Sequence, residues 1–130
     1  MAQGFNPRDL KAPFGAFSHA AWAPAGRTLY ISGQVATDGE GRVVGEGDMR
    51  AQTEQTLRNI ATVLGAAGAT FDDIIAITVF VTDMKQLGAI HEVRRRYFKP
   101  PYPASTLVEV KSLVDPRLMI EINAVAVVAG

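Results

Sequence analysis

Cysteine is absent from this 130-residue chain, and only two histidines, His19 and His91, are present. Without thiols there is no disulfide framework, no thiolate nucleophile and no cysteine metal site. Two histidines leave little with which to build any other metal centre. Neither sign of charge is in excess: thirteen Lys and Arg cancel thirteen Asp and Glu. No global field therefore recruits a nucleic acid, an anionic membrane or an acidic substrate. No apolar run is long enough to span a bilayer, and the start MAQGFNPRDLKAPFG lacks the basic and then apolar pattern of a signal peptide. P-loop, dinucleotide and HExxH signatures are missing too. These absences predict a cytoplasmic protein with no metal, no membrane and no nucleic-acid partner.

What is present is ordinary globular composition, 48% apolar and 20% charged. A chain of this length can bury roughly two thirds of its unfolded surface, so a single domain over 1–130 is expected.

The segments Ala16 to Ala23 and Thr28 to Ser32 flank the turn PAGR and read as a β-hairpin. Met49, Leu57, Ile60, Val63, Leu64 and Ala67 recur at helical spacing, with Asp48 as N-cap and Gly68 as the left-handed stop. IIAITVFV is a continuous apolar run of strand length. Asp83 can cap a second helix carrying Leu87, Ile90, Val93, Tyr97 and Phe98, which the prolines of KPPYP end.

Ser105 to Val110 and Leu118 to Val128 alternate like strands, the second with Leu118, Ile120, Ile122, Ala124 and Ala126 on one face. The expected order is β, β, α, β, α, β, β. It favours an α/β (α+β) fold, one mixed sheet with both helices packed on one face. The other face, with Met119, Val125 and Val127, is apolar enough to call for a partner, so self-association is expected.

Glu121 is the most informative charge, because it interrupts the apolar strand LMIEINAVAVV. Such a carboxylate either pairs with an arginine or shifts its pKa upward and serves as acid or base. Ser105 and Thr106 lack the elbow and the triad partners of a serine nucleophile. His91 borders the core or a cleft, and His19 is similarly ambiguous. Arg94, Arg95 and Arg96 suit the negative end of the second helix, with anion binding at a cleft as the alternative.

The ISGQ element, the helix QTEQTLRNI, the strand end VFVTDM, then YPASTLVEV and IEINAVAVV together resemble the Rid family (YjgF, also called L-PSP), along nearly the whole chain. The resemblance implies a chorismate-mutase-like fold assembled as a homotrimer with a central barrel-like core. A small-molecule cleft is then expected at each subunit interface. In the RidA branch, enamines or imines are hydrolysed to 2-keto acids and ammonia without cofactor.

Carried over residue by residue, Glu121 takes the place of the family glutamate that orients the attacking water. Ser32 and Gly33 match the family pattern of the cleft. Ser105 stands where RidA has an arginine that grips the substrate carboxylate; a serine cannot replace that fork of charge-assisted bonds. Phe17 stands for a tyrosine, Leu107 for a frequent cysteine, His91 for a common asparagine and Arg94 for a common tyrosine. Arg94 and Arg117 are the cations that could serve instead.

Three functions follow as expectations. The first is a hydrolase of an enamine, imine or related intermediate using Glu121. The second is a regulatory or binding trimer that kept the cleft without the chemistry. The third, a ribonuclease or translation inhibitor, lacks the basic stripe with interleaved aromatics that RNA binding needs.

Overall fold

A computed structural model describes residues 3–129; Met1, Ala2 and Gly130, at the ends of the expected domain and of the leader reading, lie outside the described residues. The elements are β1 (Gln3–Phe5), β2 (Ala20–Trp22), β3 (Arg27–Val35), α1 (Met49–Ala66), β4 (Ile74–Val81), α2 (Leu87–Tyr97), β5 (Ala104–Glu109) and β6 (Ile120–Val128). A mixed four-stranded sheet runs in the order β3-β6-β4-β5, antiparallel except for the β4–β5 pair. No helix among the described residues is long and apolar enough to cross a membrane.

Helix α1 forms where its signals lie. Asp48 caps it by accepting from the Ala51 amide at 3.1 Å, and Gly68, at φ +72°, takes the left-handed turn after it. Leu57, Ile60 and Leu64 recur every three or four residues and are buried against the sheet. Asp83 does not cap α2 directly. It caps a short 3-10 turn, Met84–Gln86, from which α2 continues.

The core fills the space between both helices and one sheet face, with Val79, Val81, Ile120 and Ile122 from the strands and Ile90 and Val93 from α2. Cross-strand pairing defines the opposite face: Phe80 sits beside both Glu121 and Val108, and Tyr30 beside Val125. That face is left uncovered, as expected, and Tyr30 is 79% exposed on it.

Three expectations are corrected. The hairpin does not form: β2 pairs with β1 in a separate two-stranded sheet, while β3 pairs with β6. The long apolar β6 offers β3 a ladder from Arg27–Val128 to Val35–Glu121, which the three-residue β2 cannot match. The elements therefore make two sheets rather than one, with β1 an additional strand. Val127 is buried rather than on an open face, because Gly26 packs its bare Cα side against the valine.

Candidate functional site

The prolines after α2 bring the chain into β5, and the segment before β2 is tied to that point. Ser18 donates from Oγ to the Tyr102 carbonyl at 2.6 Å and from its amide to the Pro103 carbonyl at 2.8 Å. These bonds hold Phe14 to Phe17 over the start of β5, facing the last turns of α2.

Between them lies a cavity of about 390 Å³. Phe14 and Phe17 wall one side, in edge-to-face contact at 5.1 Å. Met84, Leu87 and Leu107 supply further apolar surface, and the polar groups are His91, Arg94 and Ser105. A mostly apolar hollow of this size with few convergent polar groups is the usual form of a small-molecule site.

Arg94 is only 1% exposed, while its neighbours Arg95 and Arg96 face solvent. Its Nη2 donates to Ser105 Oγ at 3.1 Å and to the Ala16 carbonyl at 3.4 Å, and its buried Nε has no partner among the described residues. No carboxylate among the described residues pairs with it. Burial alone lowers its pKa, to about 10, so it stays cationic at neutral pH.

His91 is buried, with both ring nitrogens unpartnered among the described residues and its ring edge-on to Phe14 at 5.6 Å. Burial, then the charges of Arg94 and Arg95, push its pKa below the ordinary 6.5 and keep the imidazole neutral. A Cβ on Gly15 would stand 2.9 Å from the His91 Cε1, so this glycine makes room for the ring.

Glu121 lies elsewhere. It is half-buried on the uncovered sheet face, beside Phe80 and Val35. The β3–β6 register shifts between Ile31 and Gln34, which puts Ser32 and Gly33 in an irregular stretch beside it. A Cβ on Gly33 would overlap the Glu121 carboxylate, so Gly33 is the notch into which that side chain folds.

The expected site residues thus fall into two groups. Phe17, His91, Ser105 and Leu107 meet in the cavity on the helix side of the sheet; Ser32, Gly33 and Glu121 meet on the opposite side. Of the two substitute cations, Arg94 reaches Ser105. Arg117 does not: it is held in an exposed ion pair with Asp115 at 2.8 Å. Phe14, Met84 and Leu87 were not anticipated as lining residues. The run before β2 carries no periodic signal, and the Ser18 bonds, the Arg94 bond to the Ala16 carbonyl and the ring contact with His91 together bring Phe14 over the cavity.

The model of the family described as endoribonuclease L-PSP matches residues 9–128. A RutC family protein of Pyrococcus horikoshii is 39% identical over 114 residues, covering 88% of each chain. The mouse 2-iminobutanoate/2-iminopropanoate deaminase is 34% identical over 118 residues, covering 90% of this chain and 86% of its own length. The crystal structure of a Rid-family protein from Yersinia pestis superposes with a TM-score of 0.90 at 37% identity, covering 98% of both chains. A match of this extent, through the strands that carry Ser105 and Glu121 alike, leaves one conclusion: the chain belongs to the Rid family.

Proposed function

We propose that this protein is a cofactor-free hydrolase of C=N bonds, acting on an imine or on an enamine after tautomerisation. The carrying observation is the separation of the two half-sites across one sheet: Glu121 in its Gly33 notch on one face, the His91, Arg94 and Ser105 cavity on the other. A single chain does not join them. A second copy that docks its uncovered face against the cavity does, and a closed homotrimer lets every chain give one half and receive the other. The apolar character of that face, with Tyr30, Val108 and Val125, supports such burial.

In this reading Glu121 orients a water whose oxygen attacks the imine carbon. A C–O bond forms as the C=N π pair moves to nitrogen, which takes up a proton. The resulting carbinolamine then breaks its C–N bond, releasing ammonia and leaving a carbonyl. The relatives named as 2-iminobutanoate/2-iminopropanoate deaminases support this class of reaction.

The test is loss of 2-aminoacrylate or 2-iminobutanoate generated in situ. Acceleration over buffer that disappears in Glu121→Gln is expected; no acceleration for any of several imines would overturn the reading. A non-catalytic binding trimer is the second reading, favoured by Ser105, Phe17 and Leu107 where the family resemblance implies other residues. A ligand recovered unchanged after long incubation is its signature.

A further inference from the structure

His91 on α2 is only 8% exposed, lines the cavity, and finds no hydrogen-bond partner for either ring nitrogen among the described residues. A neutral imidazole carries one N–H donor and one lone pair, and burying both unmet costs stability. An apolar side chain of similar volume would fill the place without that cost. The cover over the ring is thin. Gly15 lies against Cε1, and Phe14, whose ring meets the imidazole edge-on, is itself 73% exposed. A ligand that displaces this one surface ring touches the imidazole.

The hydrolysis proposed above moves two protons from oxygen to nitrogen, one as the carbinolamine forms and one as it collapses. A neutral imidazole with both nitrogens free suits that task, since it accepts at one moment and donates at the next.

The charges around the ring favour the neutral form from which a carrier starts. Burial first, then Arg94 and Arg95 on the same helix, lower its pKa from 6.5. Glu92, the next residue, is turned away to Arg50 at 2.6 Å. The segment before β2 and strand β5 bring Phe14, Phe17, Ser105 and Leu107 to the cavity, none of them charged. The docked copy adds Glu121, a single carboxylate set against burial and two cations.

We infer that His91 is the proton carrier of the C=N hydrolysis, working opposite the Glu121 of a docked copy. This rests on the hydrolase reading and its shared cleft. Glu121 orients the water. As the C–O bond forms and the C=N π pair moves to nitrogen, the proton lost by the water oxygen passes to the His91 ring and from it to that nitrogen. In the collapse the hydroxyl proton takes the same route, the freed oxygen pair closes the carbonyl, and the C–N pair leaves with ammonia. His91 ends neutral, as it began, so the balance closes on water, imine and one imidazole.

The experiment is the pH dependence of kcat and KM for 2-iminobutanoate, from about pH 5 to 8. It compares wild type, His91→Asn, and His91→Ala with and without added imidazole. Wild-type kcat should fall below about pH 6.5, where the ring is protonated before it can accept. His91→Asn should lower kcat ~100-fold at neutral pH, leave KM little changed, and remove the acid limb. Imidazole should restore part of the His91→Ala turnover.

A wild-type kcat that stays flat down to about pH 5 would overturn the inference, and that result needs no variant to fold. So would an undiminished His91→Asn kcat, a loss confined to KM, or a His91→Ala rate that imidazole leaves unchanged. Turnover abolished by Glu121→Gln but kept by His91→Asn sinks this inference and leaves the hydrolase reading standing. No turnover of any imine by wild type sinks both.

Discussion

Arg94 and Ser105 are joined by a 3.1 Å hydrogen bond from Nη2 to Oγ, across the gap between α2 and β5. The serine at the first turn-in of β5 and the arginine one helix away thus form one unit. The charge that the family resemblance implies on β5 is supplied to the same cavity from the neighbouring element.

Gly33→Ala separates geometry from stability. The added methyl group meets the Glu121 carboxylate, the movable end of a side chain, rather than backbone. Under the hydrolase reading Glu121 orients the attacking water, and displacing such a group by about 1 Å costs on the order of 100-fold in rate. Imine turnover is expected to drop by that order while the thermal midpoint shifts little; unchanged turnover would show that Glu121 does not work from this notch.

His91 makes stability depend on pH. Its folded pKa is lowered from 6.5, by burial first and then by Arg94 and Arg95, so the unfolded chain binds more protons than the folded one just below 6.5. Its contribution is present above 6.5 and is lost as pH falls through the folded value. Urea unfolding between pH 7.5 and 5.5 should show a steeper loss on acidification for wild type than for His91→Asn; parallel profiles would contradict the assignment.

Gln52 secures the approach to β6. Its side chain, fully buried, donates to the Gly45 and Arg117 carbonyls and accepts from the Met119 amide at 2.7 Å. Gln52→Leu keeps the bulk and strands those backbone groups, each worth roughly 1–3 kcal/mol when buried and unpaired. A loss of about 3 kcal/mol in denaturant unfolding is expected. A loss under about 0.5 kcal/mol would mean the segment re-pairs on its own.

The uncovered face should govern assembly. Val125→Arg puts a charge beside Tyr30 in the middle of that face, and burying it unpaired is prohibitive. Sedimentation should give a species three times the 13.9 kDa chain mass for wild type and a monomer for the variant. A wild-type monomer, or a variant trimer, would refute burial of this face.

Legibility followed the range of the interactions. Helix α1 could be read because Asp48, its buried residues and Gly68 lie within some twenty positions of one another along the chain. The alternation of β6 likewise located Glu121 on the face opposite Ile120 and Ile122. Pairing of β3 with β6 depends on residues nearly the whole chain apart, and so the hairpin expectation failed. Arg94, Arg95 and Arg96 look alike in sequence; only the roll of α2 buries the first and exposes the others. Phe14 enters the cavity through Ser18, whose partners sit at the far end of KPPYP.

The most direct test of a cleft shared between chains mixes two variants that are each expected to be inactive alone, Glu121→Gln and Arg94→Gln, by co-refolding in equal amounts. In a randomly assembled ring, an interface that pairs an intact Glu121 with an intact Arg94 arises at about a quarter of the sites. The account predicts recovery of about a quarter of wild-type imine turnover in the mixture. A mixture as inactive as its components would contradict it.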